Sequence, residues 1–267
     1  MSERKRYGYF DIDKTLKGSG SGLTPEMIDA LLTFTHRGVN TQRSLKQAER
    51  VFDQPLLNLP YIILAGGEVW STDGQVMQTF PLNTQEKNGL ADFVVANHND
   101  ILQARFYPAG KSTIVAFAGT EVEAQKCIKT YSETDALGII TCDPAEFARL
   151  LKQHDTAMIT IRTHQLGLEL PSDLSSELNV DLTTPQDIAI TRQHVDKGSS
   201  LVWVCDLLDI DPATVITAGD NPVTDVPAFK HTFGISVGKE RLPHAKHHVA
   251  SPEELALYLL QLATASK

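Results

Sequence analysis

Two aspartates near the N-terminus stand two residues apart, at the end of a short apolar run. The segment 7–12 is typical of a buried strand; Asp11 lies near its end, and Asp13 directly follows it. Side chains two apart on an extended chain point to the same side, so both carboxylates can emerge together. Adjacent carboxylates repel each other, and a divalent cation relieves that repulsion. Carboxylate oxygens are ligands that suit Mg²⁺. Alternatively, the two aspartates belong to a solvated turn after the strand and have no role in chemistry.

A second acidic segment follows another apolar run, at 215–218. Asp220 comes directly after a glycine and can complete an oxygen cage with the first pair of carboxylates. Asp225 is expected on the first turn of a short helix over 223–229, where it can fix a lysine or a metal-bound water. A favourable charge near a helix N-terminus is the alternative reason for an acidic residue at that position.

A lysine, Lys197, opens a helix predicted over 198–208. A cation at a helix N-terminus opposes the helix dipole, so the fold alone disfavours it there. The position becomes favourable if the ammonium faces carboxylates and a phosphate. An exposed surface lysine is the alternative.

Taken in chain order, the segments that carry Asp11 and Asp13, Lys197, and Asp220 and Asp225 resemble motifs of the haloacid dehalogenase superfamily of aspartate-nucleophile phosphatases. A further superfamily motif is a Ser or Thr after the second core strand, and the Thr-Gln-Arg-Ser sequence at 41–44 resembles it. The matching residues are Asp11-x-Asp13-x-Thr15-Leu16, Thr41, Lys197-Gly198 and Gly219-Asp220-x-x-x-x-Asp225.

The position of the second core strand stays open at this point. Only two residues separate Gly38 from Thr41. Either the strand is truncated and Thr41 is the motif residue, or residues 32–35 supply the strand and Thr35 takes that role. We favour Thr41, because the Arg-Ser pair at 43–44 and the helix predicted beyond it also fit.

The resemblance implies a reaction of two displacements at phosphorus. Asp11 is the nucleophile that forms an aspartyl phosphate. Asp13 protonates the leaving alcohol and then takes a proton from the attacking water. Thr41 and Lys197 contact the non-bridging oxygens of the phosphoryl group.

The resemblance also implies a Mg²⁺ cofactor. Its expected ligands are Asp11, Asp13 and Asp220, and in the family the backbone carbonyl of the second aspartate touches the metal more than its carboxylate does. Supporting roles are expected for Asp225, Asn221 and Thr15.

The elements that must position these residues alternate between strand and helix at both ends of the chain. We predict an α/β fold, with a Rossmann-like doubly wound parallel sheet core over 1–81 and 193–267. The middle segment, 82–192, instead shows runs of paired strands beside helices. It is predicted to be an inserted α+β cap domain. Its placement between the second and third motifs resembles the Cof-like, sucrose-phosphatase-like branch. Its predicted strands are 102–107, 112–118, 138–141, 157–162, 166–170 and 187–191.

Composition limits the possible partners. The 267 residues include 24 basic and 33 acidic side chains, a net charge of −9, which argues against binding to nucleic acid or an anionic membrane. No apolar run approaches the roughly 18 residues of a membrane span, and no signal-peptide core is present. The three cysteines are scattered as free thiols in a reducing compartment would be. A cytoplasmic protein is therefore expected, and the resemblance implies a small phosphorylated substrate as its partner.

The leading hypothesis is a Mg²⁺-dependent phosphatase for a small phosphorylated metabolite, a sugar or sugar-acid phosphate. Two alternatives are a phosphomutase, in which a sugar hydroxyl attacks the intermediate, and an inactive protein that only binds phosphometabolites. Candidate contacts for a sugar acid or a second phosphate are Arg105, Lys111, Arg162 and Arg192.

Overall fold

The computed structural model describes residues 6–18, 22–52, 56–111, 113–132, 137–164, 169–184 and 186–265. The chain forms two compact units. The first unit is Met1–Met77 with Lys197–Lys267, and the second unit is Gln78–Asp196.

The strands are β1 Tyr7–Phe10, β2 His36–Val39, β3 Tyr61–Ile63, β4 Glu68–Trp70, β5 Val76–Thr79, β6 Ile101–Pro108, β7 Ile114–Ala118, β8 Leu137–Thr141, β9 Thr156–Thr163, β10 Leu178–Thr184, β11 Asp187–Arg192, β12 Val215–Gly219, β13 Phe233–Val237 and β14 His247–Val249. The helices are α1 Pro25–Leu32, α2 Leu45–Glu49, α3 Thr84–Ala96, α4 Glu121–Ser132, α5 Pro144–Gln153, α6 Ser172–Ser175, α7 Lys197–Leu207, α8 Val226–Phe229 and α9 Pro252–Ala265, with 3₁₀ turns at Leu64–Gly66 and Pro212–Thr214.

A parallel sheet forms the centre of the first unit, in the order β14-β13-β12-β1-β2. Phe10, at the end of β1, is paired with Val39 of β2 and with Ala218 of β12. The carboxyl ends of these three strands therefore lie at one edge of the sheet. Ligands of open parallel sheets bind at this edge.

Helices cover both faces of this sheet, as a doubly wound fold requires. Phe10 is fully buried in an apolar cluster with Met27 of α1 and Leu255 of α9. Its neighbour Tyr9 points to the opposite face, because successive side chains alternate along a strand. That face is covered by α7, where Cys205 lies near the Tyr9 hydroxyl. The predicted α/β core is confirmed.

The second unit is an α+β module, as predicted. Its sheet has the order β10-β11-β9-β6-β7-β8 and is antiparallel except for the β7–β8 pair. Phe93 of α3 and Phe147 of α5 pack with Phe106 of β6 in a single apolar cluster. The strand predicted over 166–170 begins on residues outside those that the structure describes.

The second core strand is the truncated one. β2 spans only His36–Val39, and residues 32–35 are not a strand, because α1 continues to Leu32 and Thr33 caps it. The expectation for the helix after β12 also needs correction. α8 begins at Val226, so Asp225 is its N-cap residue and not part of its first turn.

Within the described residues, every helix is too short or too polar to cross a lipid bilayer. Cys127 and Cys205 are buried free thiols, and Cys142 is an exposed one.

Gly198, the second residue of α7, lies where another chain segment approaches closely. A Cβ at this position would stand 2.5 Å from the carbonyl oxygen of Pro227 in α8. That neighbour is backbone, so it cannot rotate away. Close packing of α7 against α8 therefore requires glycine here, and this packing holds the start of α7 in place.

We expect Gly198→Ala to lower the free energy of unfolding by about 2 kcal/mol, because the overpacking outweighs the better helix propensity of alanine. Urea denaturation of the whole chain measures this. Gly22→Ala is the matched control, since a Cβ there meets nothing within 4 Å. Equal stability of the two variants would contradict the close-packing argument.

Candidate active site

Residues from three neighbouring strands meet at the carboxyl edge of the parallel sheet. The backbone N–H of Asp11 donates to the carbonyl of Ala218 (2.9 Å), and that of Asn40 donates to the carbonyl of Phe10 (3.0 Å). These bonds extend the pairing of β1 with β12 and β2 by one residue on each side. They place the loops that carry Asp11, Thr41 and Asp220 next to one another.

The ammonium of Lys197 bridges two buried carboxylates. Its Nζ lies 2.7 Å from Oδ1 of Asp11 and 2.7 Å from Oδ1 of Asp225. The side chain of Lys197 is only 2% exposed, so water contributes little to its solvation. Burial disfavours the charged form, but the two carboxylates outweigh it and hold the pKa of Lys197 above its ordinary value. The ammonium is therefore a fixed positive charge inside the site.

Two hydrogen bonds fix the first turn of α7, which carries this lysine. Asn40, which follows β2, donates from Nδ2 to the backbone carbonyl of Lys197 (2.8 Å). Ser200 donates from Oγ to the carbonyl of Gly66 (2.7 Å). Both donors are buried, so the orientation of Lys197 depends on the loops after β2 and β3.

The loop after β12 is shaped to bring Asp225 to the lysine. Its Oδ2 accepts a hydrogen bond from the backbone N–H of Asn221 (2.9 Å). The side-chain oxygen of Asn221 in turn accepts from the N–H groups of Val223 (2.8 Å) and Thr224 (3.1 Å). A Cβ on Gly219 would lie 2.3 Å from Cγ of Asp225, so the close approach of that carboxylate needs glycine.

Three carboxylates form a cluster that suits a metal ion. One oxygen each of Asp11, Asp220 and Asp225 lie within 4.8 Å of one another. Thr15 donates from Oγ1 to Oδ1 of Asp220 (3.4 Å). Three carboxylates against one ammonium leave an excess of negative charge, and oxygen ligands are what Mg²⁺ prefers. The donor set therefore fits a divalent cation.

The electrostatics of the cluster reflect this excess charge. Burial raises the pKa of Asp11 to about 7; Lys197 opposes the rise, and Asp225 and Asp220 add to it. Burial also raises the pKa of Asp220 to about 6, again with a contribution from Asp225. Both groups therefore hold protons more tightly than an ordinary aspartate when no cation neutralises the cluster.

The carboxylate of Asp13 stands outside this cluster and is held by an arginine. Arg43 donates from Nε and Nη2 to the two carboxylate oxygens, each at 2.7 Å. Arg43 itself is anchored by donating from Nη1 to the carbonyl of Gln47 in α2 (3.0 Å). Partial burial would raise the pKa of Asp13, but the hydrogen bonds from Arg43 outweigh it and keep this pKa below its ordinary value.

Thr41 lies at the carboxyl edge of the parallel sheet and is 1% exposed. Its N–H donates to the carbonyl of Ile62 (2.9 Å), and its Oγ1 accepts from the N–H of Arg43 (3.3 Å). Thr35 precedes β2, at the opposite edge of the sheet, and its carbonyl accepts from Asn58 (2.9 Å). The structure therefore brings Thr41, and not Thr35, to the edge where Asp11 emerges.

Two of the four candidate cations of the second unit form a side-chain hydrogen bond or ion pair among the described residues. Arg162 forms an ion pair with Asp187 across two strands (2.7 Å). Arg105 donates to Oγ1 of Thr160 (2.9 Å) and lies over the ring of Tyr131. Lys111 and Arg192, the other two, are exposed.

Sequence reasoning missed two features of this site. It expected Asp225 to fix a lysine, and this contact is present, but it did not expect an oxygen of this carboxylate to lie within 4.8 Å of oxygens of Asp11 and Asp220. It also assigned no contact to Arg43, which holds Asp13. The available signal was an arginine two residues after Thr41, opposite an acidic strand end.

Comparison with known proteins gives one family and one fold. A family model described as haloacid dehalogenase-like hydrolase matches residues 9–253. No curated protein sequence matches the chain.

Several solved structures share its fold. A subclass IIB sugar phosphatase of this superfamily, BT4131, has a TM-score of 0.77 at 15% identity, covering 97% of this chain and 99% of that one. The phosphatase BT1666 from Bacteroides thetaiotaomicron has a TM-score of 0.75 at 16% identity, covering 99% and 98%. A haloacid dehalogenase-like hydrolase from B. subtilis has a TM-score of 0.73 at 12% identity, covering 95% and 99%.

We expect Lys197→Met to destabilise the metal-free chain by about 3 kcal/mol at pH 8, because it leaves two buried carboxylates without their cation. The loss should be smaller at pH 5, where protonation of the carboxylates relieves their repulsion. Urea denaturation in EDTA at the two pH values measures both effects.

Lys246→Met, at an exposed position, is the matched control and should change the stability little. A Lys197→Met chain as stable as the wild type at pH 8 would show that the bridge contributes nothing to the fold.

Proposed function

The chain belongs to the haloacid dehalogenase-like hydrolase family, as its motifs predicted, and we propose that it is a Mg²⁺-dependent phosphatase of small phosphorylated metabolites. The observation that carries this proposal is the buried bridge from Asp11 through Lys197 to Asp225, with Asp220 beside it. It supplies an aspartate oxygen, a fixed cation and an oxygen cage within one small volume.

We assign Asp11 as the nucleophile. One carboxylate oxygen forms a bond to phosphorus, the bond from phosphorus to the alcohol oxygen breaks, and the leaving oxygen takes a proton from Asp13. A water then loses its proton to Asp13 and attacks the same phosphorus. This second displacement releases inorganic phosphate and restores the carboxylate of Asp11.

The other residues act on charge and orientation. Lys197 and Thr41 bind the non-bridging oxygens of the phosphoryl group, where negative charge must be stabilised. Arg43 favours the ionised form of Asp13, which takes the proton from water in the second displacement. Proton donation in the first displacement requires the ion pair of Asp13 with Arg43 to open.

The metal would be held by Asp11 and Asp220, with the backbone carbonyl of Asp13 as the third proposed protein ligand. When bound, Mg²⁺ neutralises phosphoryl charge and orients the phosphate. Asp225, Asn221 and Thr15 fix the positions of these ligands through the hydrogen bonds described above.

The substrate is proposed to be a sugar or sugar-acid phosphate, with the second unit acting as the cap that sets specificity. BT4131, which shares this fold, is a sugar phosphatase. The net charge of −9 disfavours nucleic acid as a partner, and the free thiols suit a reducing cytoplasm.

A phosphomutase would use the same phosphorylated aspartate but pass the phosphoryl group to a sugar hydroxyl. Release of inorganic phosphate without formation of a sugar-phosphate isomer separates the two reactions. A protein that only binds phosphometabolites would give neither product.

We expect Asp11→Asn to lower kcat for p-nitrophenyl phosphate in Mg²⁺ by about 10³-fold or more, because an amide oxygen is a poor nucleophile. The folded structure should persist, as judged by circular dichroism and thermal unfolding. Asp29→Asn, which removes one exposed charge on α1, serves as the control and should retain activity. Full turnover by the Asp11 variant would remove this residue from the nucleophile role.

Mg²⁺ should also stabilise the chain in a pH-dependent way. Without metal, the raised pKa values of Asp11 (about 7) and Asp220 (about 6) stabilise the fold at low pH, and this contribution is lost as the pH rises through 6 to 7. The cation competes with these protons. We therefore expect Mg²⁺, at ten times the Kd that it has at pH 8, to raise Tm by about 3–6 °C at pH 8 and the same concentration to raise Tm by less at pH 5.

Thermal unfolding in EDTA and in Mg²⁺ at the two pH values measures this shift, and Asp220→Asn should abolish most of it. If neither EDTA nor Mg²⁺ changes the Tm or the turnover of the chain, the metal site is excluded.

A further inference from the structure

A cavity of about 870 Å³ opens beside Asp220, entirely within the first unit. Val237, Leu242 and Pro252 give it an apolar wall, and Lys14 and Lys239 supply positive charge. Its volume lies within the range of small-molecule sites, which are mostly apolar with a few polar groups. The mechanism proposed above uses none of these five residues.

Lys14 occupies a backbone conformation that glycine would adopt more easily. Its φ is +57°, in the left-handed region that side chains with a Cβ rarely enter. The residue lies between Asp13 and Thr15, in the loop that follows β1. Strained residues of this kind concentrate at functional sites.

The two lysines of the cavity are available to a ligand. Lys14 and Lys239 are both exposed, and neither forms a hydrogen bond or ion pair through its ammonium with the described part of the chain. Lys14 does lower the pKa of Asp220, so its charge acts on the catalytic cluster.

The charge balance of the cavity favours an anion. Its acidic lining residues are Asp220 and Glu240. Asp220 faces the proposed Mg²⁺ site and would be neutralised there. The remaining charges are two ammonium groups against the single carboxylate of Glu240, a net positive cavity in a chain whose overall charge is −9.

We propose that this cavity is a subsite for a second anionic group of the substrate, with Lys14 and Lys239 as its specificity-determining residues. The inference rests on the proposed function and narrows its substrate class to phosphate monoesters that carry a further carboxylate or phosphate. The apolar wall contacts the carbon chain between the two anionic groups. The subsite belongs to the first unit and is distinct from the cations of the proposed cap.

Competition experiments test this class without assuming which compound is hydrolysed. The inhibition constant Ki is measured against p-nitrophenyl phosphate for glucose 6-phosphate, 6-phosphogluconate and glucose 1,6-bisphosphate. The second and third compounds add a carboxylate or a phosphate at the first carbon, so the two arms distinguish these anions. We expect one or both to bind about tenfold more tightly than glucose 6-phosphate.

Lys14→Gly and Lys239→Gln should each raise Ki by about tenfold for whichever of 6-phosphogluconate and glucose 1,6-bisphosphate binds more tightly, and change Ki for glucose 6-phosphate less than twofold. Glycine is chosen at position 14 because it adopts the positive φ without strain, so this variant should keep or increase its Tm. Lys230→Gln removes an equal charge at an exposed position outside the cavity and should leave all three Ki values unchanged.

Equal Ki values for the three compounds in the wild type, or equal effects of a lysine variant on all three, would overturn the subsite. Failure of the wild type to release p-nitrophenol in Mg²⁺ would instead overturn the proposed phosphatase function. The two failures are therefore distinguishable.

Discussion

A single buried ammonium group sets the requirements that much of the first unit must meet. Lys197 is out of contact with water, so its charge must be balanced by carboxylates held in place. Asp11 and Asp225 supply that balance from opposite ends of the sequence. Three residues remove what would block or misdirect this arrangement: Gly198 allows α7 to approach α8, Gly219 allows Asp225 to approach, and Asn40 fixes the first turn of α7. The same residues therefore determine both the packing of this region and the positions of its charged side chains.

Much of this architecture could be predicted from the sequence because it depends on local patterns. Apolar runs that end in aspartate predicted β1 and β12, and the carboxyl edge of a parallel sheet predicted that their acidic ends would meet. The lysine at a helix N-terminus was informative because the helix dipole disfavours it. In the middle of the chain, strand–helix alternation gives way to runs of paired strands, and this change predicted the α+β module. Each of these signals is carried by residues close together in the sequence.

The missed features depend on contacts between distant segments. The pair of Arg43 and Asp13 requires the loops after β1 and β2 to face each other at a particular spacing, which strand patterns do not specify. The place of Asp225 in the carboxylate cluster depends on a glycine and an asparagine that shape its loop. The positive φ of Lys14 leaves no trace in hydropathy, and a lysine would not be expected there on conformational grounds. Long-range geometry and backbone conformation, rather than residue type, limited the prediction.

The order of the strands has a consequence for synthesis on the ribosome. β1, which directly precedes Asp11, pairs on one side with β12, and β12 follows the whole second unit in the sequence. One edge of β1 therefore stays unpaired until β12 has been synthesised. During this time the second unit emerges as a continuous stretch that can fold first. An unpaired apolar edge is a site for aggregation, so the nascent chain is most exposed to misassembly during this interval.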